Sequence, residues 1–195
     1  FGGSWAGPVI LGAGTTNTLN ITGGLTISGV ISGGGALTKA IGTANVTLTG
    51  VNTYTGPTIL TAGTLSIGAA YNLGGASANL VFNGGTLQIT GTTLTSLSGL
   101  GRTVAFNPGV TVTLDINNAA NTFTVDQVFS GAVSLVKLGT GTLVLNQANT
   151  YSGQTTISAG VLQYNDGPVI PTTPLLNNSA LVINRTDTLT QGTTF

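Results

Sequence analysis

The chain has 195 residues, of which 4% are charged and 41% are hydrophobic, and its formal net charge is zero. This balance excludes the strongly basic surface that binding to nucleic acid requires. Because the chain contains no Cys and no His, it cannot form disulfides, thiolate metal sites or a nucleophile paired with imidazole. No segment reaches the roughly 18 consecutive apolar residues of a membrane-spanning helix, so we do not expect the chain to span a membrane.

Short apolar segments with a period of two follow one another along the chain. This alternation places aliphatic side chains on one face of a β-strand and Thr, Ser or Asn on the other. Gly-rich and Asn-Gly steps separate the segments, and no window of ten residues has a helical period, so we predict strands and tight turns without helix. The alternating segments are Leu19/Ile21, Leu25/Ile27, Val46/Leu48, Leu65/Ile67, Leu80/Phe82, Leu87/Ile89, residues 110–116, Leu143/Leu145, Leu162/Tyr164 and Leu181/Ile183.

One long segment occurs twice. Residues 52–65, NTYTGPTILTAGTL, return at 149–162 as NTYSGQTTISAGVL, an offset of 97, and Lys39 recurs one residue further on as Lys137. Fixed-period repetition is typical of stacked architectures. We therefore interpret residues 1–195 as a single solenoid with two imperfect copies of a unit of about 97 residues, approximately 25–98 and 123–195.

The combination of short strands and a long repeat favours an all-β fold, a parallel β-helix. Three strands and their turns need roughly 20 to 25 residues for each rung of the coil. The chain would then have about eight or nine rungs and each repeat about four. The interior should be lined by stacked aliphatic residues, including Leu48, Leu65, Leu145 and Leu162.

The four carboxylates, Asp115, Asp126, Asp166 and Asp187, are the candidates for acid and base chemistry. Asp166 and Asp187 lie 21 residues apart, so they could stack on neighbouring rungs and bind a cation or act on a sugar. The favoured interpretation is that Asp166 belongs to an Asn-Asp-Gly turn and that Asp187 is a solvated strand end. We therefore predict no catalytic, metal or cofactor site and a protein that is not an enzyme.

Two patterns suggest a binding module instead. Tyr54 and Tyr151, at matching repeat positions, could stack on sugars, although packing at a corner of the coil is the favoured interpretation. Regular rows of Thr on a flat face could order water or ice, although outward strand Thr is the simpler explanation. The Thr-x-Thr pairs are Thr47/Thr49, Thr53/Thr55, Thr111/Thr113, Thr122/Thr124, Thr140/Thr142, Thr186/Thr188 and Thr188/Thr190.

Residues 37–68 and 135–165 resemble the passenger-associated transport repeat of bacterial autotransporters. This resemblance implies a right-handed parallel β-helical passenger, exported across the outer membrane and secreted or displayed on the cell surface, in which such repeats assist export and folding. The resemblance is specific because many motif residues occur in order: Lys39, Gly42, Leu48, Asn52, Tyr54, Gly56, Thr58, Ala62, Gly63 and Leu65.

The two ends of the chain carry apolar residues where a free-standing solenoid would need a polar cap. These candidate self-assembly residues are Phe1, Trp5 and Val9 at one end and Leu189 and Phe195 at the other. We expect the ends to meet adjacent rungs of a longer chain or, in a free subunit, to stack head to tail into a fibre. The sequence thus predicts a structural or adhesive extracellular segment whose partners are itself and, as a second hypothesis, a surface glycan.

Overall fold

The computed structural model describes residues 2–165, 174–184 and 186 of the chain. These residues form short β-strands and two 3-10 helices, Ala70–Leu73 and Ser98–Leu100, and contain no α-helix. The strands are β1 (Gly3–Trp5), β2 (Val9–Leu11), β3 (Thr16–Asn20), β4 (Leu25–Ile27), β5 (Ile31–Gly33), β6 (Ala36–Ile41), β7 (Asn45–Leu48), β8 (Thr58–Leu60), β9 (Thr64–Ile67), β10 (Leu80–Phe82), β11 (Thr86–Ile89), β12 (Val104–Phe106), β13 (Thr111–Ile116), β14 (Thr122–Val125), β15 (Ser130–Gly131), β16 (Ser134–Leu138), β17 (Thr142–Leu145), β18 (Thr150–Tyr151), β19 (Thr155–Ile157), β20 (Val161–Tyr164), β21 (Leu175–Asn177) and β22 (Ala180–Ile183).

The strands pair in parallel with the equivalent strand of the next rung. One sheet has nine strands in the order β1-β4-β7-β9-β11-β13-β16-β19-β21, a second has the order β12-β10-β8-β6-β3, and a third has the order β14-β17-β20-β22. Two further pairs, β2-β5 and β15-β18, complete the walls. Each register is parallel, so the chain is a β-solenoid, as predicted.

The length of a rung follows from the register of the nine-stranded sheet. Paired residues are 19 apart between β7 and β9 (Val46 and Leu65) and 27 apart between β11 and β13 (Leu87 and Leu114). These rung lengths lie on either side of the predicted 20 to 25 residues. The prediction of about eight or nine rungs is confirmed by the nine stacked strands of this sheet.

The interior consists of columns in which each side chain lies on its equivalent from the preceding rung. The predicted core residues Leu48, Leu65, Leu145 and Leu162 are all buried. An aromatic column runs through Phe82, Phe106, Phe129 and Tyr151, with ring centroids 5.5, 4.4 and 6.2 Å apart. Each buried side chain of this size contributes about 1.5 to 3 kcal/mol to folding, so the columns stabilise the coil without disulfides.

The alternation in the sequence located ten of the described strands, β3, β4, β7, β9, β10, β11, β13, β17, β20 and β22. It missed the others, among them β6 and β8. In these strands Lys39 and Thr58 point inward and are 1% exposed, whereas Ile59 on β8 is partly exposed. Lys39 and Thr58 therefore occupy inward positions at which the period-two pattern requires apolar residues. Their burial is possible because each makes hydrogen bonds inside the coil.

The two sequence repeats occupy different faces of the coil. Residues 37–39 and 58–60 of the first copy lie in β6 and β8 of the second sheet, whereas their equivalents, 135–137 and 155–157, lie in β16 and β19 of the nine-stranded sheet. Likewise β7 and β9 belong to the nine-stranded sheet, and their equivalents β17 and β20 belong to the third sheet. The second copy is therefore displaced by one face around the axis.

The displacement can be followed strand by strand. In the second sheet, β12 lies three rungs after β6, with β8 and β10 between them. The next strand in the chain, β13, lies on the next face, in the nine-stranded sheet. In that sheet β16 lies one rung after β13. The aromatic column crosses the junction, since Phe129, just before β15, stacks on Phe106 of β12. One repeat thus spans the predicted four rungs and, in addition, one face.

Replacing Leu48 with Ala should lower the free energy of unfolding by about 2 to 5 kcal/mol, because the cavity lies in a fully buried column. Urea denaturation monitored by circular dichroism measures this difference. The matched control is Leu176→Ala, since Leu176 is 46% exposed and its truncation should change stability by no more than about 0.5 kcal/mol. Equal costs at the two positions would contradict the assignment of the core.

Candidate functional site

The described residues offer no cluster of catalytic or metal-binding groups. No three of their His, Cys, Asp or Glu side chains lie together. Asp115 accepts a hydrogen bond from Gln88 (2.7 Å), and Asp126 accepts from the backbone N–H of Ser98 (3.0 Å). Asp166 and Asp187, the pair considered for cation or sugar chemistry, lie outside the described residues.

The repeated Asn of the sequence motif ties neighbouring rungs together from inside. Asn52 Oδ1 accepts from the backbone N–H of Ile31 (2.8 Å), and its Nδ2 donates to the carbonyl of Asn72 (2.5 Å). In the second copy Asn149 Oδ1 accepts from the N–H of Phe129 (2.8 Å). The side-chain amide of Asn at this position therefore forms hydrogen bonds with backbone groups at a corner where the chain leaves the sheets.

The repeated Tyr is a corner residue and not a sugar-stacking ring. Tyr54 is 0% and Tyr151 is 2% exposed, and each hydroxyl makes a 2.6 Å hydrogen bond with a buried Thr four residues on, Thr58 or Thr155. The hypothesis that these two rings bind a glycan is wrong, because no ligand can reach their faces. The packing interpretation is confirmed.

The repeated Lys is a buried cation held by carbonyl oxygens. Lys39 Nζ donates to the carbonyl of Ile41 (2.7 Å). Lys137 Nζ donates to the carbonyls of Leu138 (2.6 Å), Gly139 (2.8 Å) and Ala159 (3.2 Å). Burial lowers the pKa of Lys137 to about 8, and the negative charge of Asp115 opposes that shift. The two ammonium groups thus satisfy backbone acceptors that would otherwise be unpaired inside the coil.

The Gly of the repeated Ala-Gly step packs closely against the backbone of the preceding rung and against this Lys. Gly63 and Gly160 have φ of 66° and 67°, a region that side chains other than Gly rarely adopt. A Cβ at these positions would collide with the carbonyl oxygen of Gly42 or Gly139, and it would lie 2.6 Å from Lys39 Nζ or 2.9 Å from Lys137 Nζ. The repeated Gly is therefore required by its backbone conformation and by the neighbouring backbone, and it also lies against the Lys.

Arg102, which lies between the two copies of the repeat, also donates hydrogen bonds to backbone carbonyls. Its guanidinium is half-buried beside the 3-10 helix Ala70–Leu73 and joins that segment to the following loop. All of its hydrogen bonds are donated to carbonyl oxygens, those of Leu100 (3.1 Å), Leu73 (2.7 Å), Gly75 (3.3 Å), Ala78 (2.9 Å), Ala70 (2.9 Å) and Gly74 (3.3 Å).

The outward Thr pairs do not form one regular face. Thr47 and the pair Thr111/Thr113 lie on β7 and β13 of the nine-stranded sheet, whereas Thr122/Thr124 lie on β14 of the third sheet. The pair Thr53/Thr55 lies outside the strands. An ice-ordering surface needs the pairs on one face at a constant spacing, so this arrangement does not supply one.

Two of the candidate self-assembly residues lie on the first rung. Trp5 ends β1 and is 53% exposed, and Val9 begins β2 and packs partly against the core. Phe1, Leu189 and Phe195 lie outside the described residues. Among the described strands, β1 pairs only with β4 and β21 pairs only with β19, so these two are the end strands of the nine-stranded sheet.

A depression that the sequence analysis missed lies beside Tyr71, a ring that is 54% exposed. It measures about 260 Å³, and Thr47, Thr49, Gly68, Thr90 and Thr93 line it. Tyr71 is on the 3-10 helix Ala70–Leu73. The signal for it in the sequence would have been an isolated Tyr flanked by turn residues between two strands.

The buried tyrosines predict a loss of stability in alkali. Burial raises the pKa of Tyr54 to about 12, against the ordinary value of 10.0, and burial also raises the pKa of Tyr151 and Tyr164. Between the ordinary Tyr pKa of about 10 and the value of about 12 for Tyr54, the unfolded chain has lost the Tyr54 proton while the folded chain keeps it. Raising the pH therefore favours unfolding, by up to about 1.4 kcal/mol per pH unit for each group.

Urea denaturation of the wild type and of Tyr54→Phe across that interval measures the effect. The variant should lose stability less steeply with pH, because one proton fewer distinguishes the two states. Comparing slopes separates the titration from the constant cost of the lost Thr58 hydrogen bond. Parallel slopes would show that Tyr54 ionises equally in both states.

The comparisons with known proteins agree with this architecture. The family model of the passenger-associated-transport-repeat matches residues 37–67 and 135–163, the two segments that contain the Lys, Asn, Tyr and Gly positions described above. No solved structure matches the chain. No helix among the described residues is long and apolar enough to cross a membrane.

The chain is also similar to the Adhesin BmaC autotransporter of Brucella suis biovar 1 (strain 1330). The identity is 37% over 174 residues, which cover 79% of this chain and 5% of that relative. The chain thus spans a small part of the length of the curated relative that it matches. The chain is thus a β-solenoid that carries two matches to the passenger-associated-transport-repeat and is similar, over most of its length, to part of an autotransporter adhesin.

Proposed function

We propose that the chain is a structural and adhesive segment of a protein exported to the bacterial cell surface. The observation that carries the proposal is the inward orientation of the repeat motif: its Lys, Asn and Tyr are all buried and hydrogen-bonded within the coil. The side chains that the two copies share therefore build the interior of the coil. The outward positions are left free to vary and to contact other surfaces.

A structural role also accounts for the chemistry of the chain. Three of its four basic residues, Lys39, Arg102 and Lys137, donate to backbone carbonyls, and the two described carboxylates, Asp115 and Asp126, accept from neighbouring residues. These groups hold the coil together. Even Asp115 and Lys137, whose charges interact, make their hydrogen bonds with Gln88 and with backbone carbonyls. We infer a role without catalysis. The similarity to a protein named an adhesin supports attachment as the role.

The adhesive role can be tested with beads that carry the purified chain. We expect them to attach to cultured cells or to glycan-coated glass more strongly than beads that carry an inert protein of similar size. Attachment should survive Leu176→Ala, an exposed change, and disappear when the chain is unfolded by heat before coupling. Attachment no greater than that of the inert protein on every surface would contradict the adhesive role.

The end strands β1 and β21 support a further proposal, that rungs continue beyond each end. In a longer chain the adjoining rungs would pair with these strands; in the isolated 195-residue chain a second copy can pair with them head to tail. Such a contact repeats without closing and makes a filament. The net charge of zero leaves little repulsion between copies.

Sedimentation and electron microscopy of the isolated chain at micromolar concentration should show elongated stacks. Trp5→Ser should shorten them, because Trp5 is 53% exposed on the first rung. Val51→Ser is the matched control, since Val51 is 60% exposed in the body of the coil and should not affect assembly. A stable, monodisperse monomer would show that the ends are closed to further strands.

A further inference from the structure

We propose that the depression beside Tyr71 binds one saccharide ring, with the aromatic ring against the sugar's apolar face and the Thr hydroxyls against its hydroxyl groups. This inference rests on the proposed adhesive function and gives it a ligand class. It concerns a part of the chain that neither copy of the transport repeat fully contains, since the family model ends at residue 67 in the first copy.

A gap in an outward column of side chains creates the depression. Leu48, Ile67 and Ile89 are in register on β7, β9 and β11, so the residues that follow them, Thr49, Gly68 and Thr90, stand above one another. Gly68 has no side chain between the two Thr, and a Cβ there would meet only Thr90 Oγ1, at 3.6 Å. The missing side chain leaves a space bordered by Tyr71 and spanning three rungs.

The backbone that carries Tyr71 is fixed before any ligand arrives. Asn72 is 3% exposed; its Oδ1 accepts from the N–H groups of Gly68 (3.1 Å) and Ala69 (2.9 Å), and its Nδ2 donates to the carbonyl of Gly50 (3.0 Å). The carbonyl of Tyr71 itself accepts from the N–H of Asn52 (3.0 Å). Binding therefore requires little ordering of the main chain, which reduces its entropic cost.

The hydroxyl groups that line the depression are oriented by the coil. Thr90 Oγ1 donates to the carbonyl of Ile67 (3.1 Å), and Thr93 Oγ1 donates to the carbonyl of Gly68 (3.3 Å). Because each hydroxyl has used its proton, its lone pairs are left to accept from a ligand. A ligand that donates several hydrogen bonds from one side, as a sugar ring does, matches this arrangement.

The character of the lining selects among ligand classes. No Lys, Arg, Asp or Glu lines the depression, so a phosphate or a carboxylate would find no countercharge there. A half-exposed Tyr offers an apolar face and a hydroxyl at low conformational cost. The volume of about 260 Å³ lies near the lower limit for small-molecule pockets, which suits a single ring and predicts weak binding, with a Kd on the order of 1 mM. Many copies on one surface would raise the avidity.

Saturation-transfer NMR with the intact chain and a panel of neutral monosaccharides and disaccharides tests the proposal. At least one sugar should receive saturation at its ring C–H protons. Tyr71→Ala should weaken that binding at least tenfold, whereas Tyr71→Phe should retain most of it. Gly68→Val should abolish binding by filling the space, and Val51→Ala, an exposed change elsewhere, should leave it unaltered.

Circular dichroism and thermal denaturation of each variant establish that the coil is intact, and the Tyr71 pair serves alone if Gly68→Val fails to fold. Lack of binding by every sugar, or equal binding by the wild type and Tyr71→Ala, would overturn the proposal. Bead attachment separates the two levels. If Tyr71→Ala beads attach as the wild type does, the saccharide site is wrong and the adhesive function stands. If the wild-type chain binds a sugar but its beads do not attach, the adhesive function is wrong and the saccharide site stands.

Discussion

Hydrogen bonds between the backbones of successive rungs are the interaction on which this molecule depends. They fix the register, so each side chain lies on the side chain of the equivalent position one rung earlier. A polar residue in an interior column is then surrounded on both sides, and it must find its partners inside the coil. Lys39 and Lys137 do so by donating to backbone carbonyls near the ends of their strands.

The predictable part of the fold was the part built from aliphatic columns. Leu48 and Leu65 occupy period-two positions whose alternation specifies a strand with one buried face, and both lie where that pattern predicts. The pattern failed at β6 and β8 because Lys39 and Thr58 are buried by hydrogen bonding and not by hydrophobicity. Stacking, in turn, could be predicted from the repeat, but the displacement of the second copy by one face could not, since it depends on how β13 pairs with β16.

The residues of the candidate site were also only partly predictable from the sequence. Repetition identified Tyr54 and Asn52 as important without indicating their role, and a buried corner residue and an exposed binding residue give the same signal in a repeat. Burial, which decides between the two, depends on the corner that Asn52 closes. Tyr71 carries no signal of repetition at all. Tyr71 is exposed on a 3-10 helix that is held by hydrogen bonds from Asn72 to Gly50 and from Arg102 to Ala70. These contacts join residues that are far apart in the sequence.

The displacement of the repeat by one face determines how a long passenger would present its surface. If every copy advanced by whole rungs, a loop at a given position would always point in the same direction, and one side of the rod would carry all of its features. With an additional face in each copy, the same loop winds around the rod, and every third copy returns to the original orientation. A flat surface would then touch such a rod at widely separated points, whereas a ligand free to surround it would find equivalent loops in all directions.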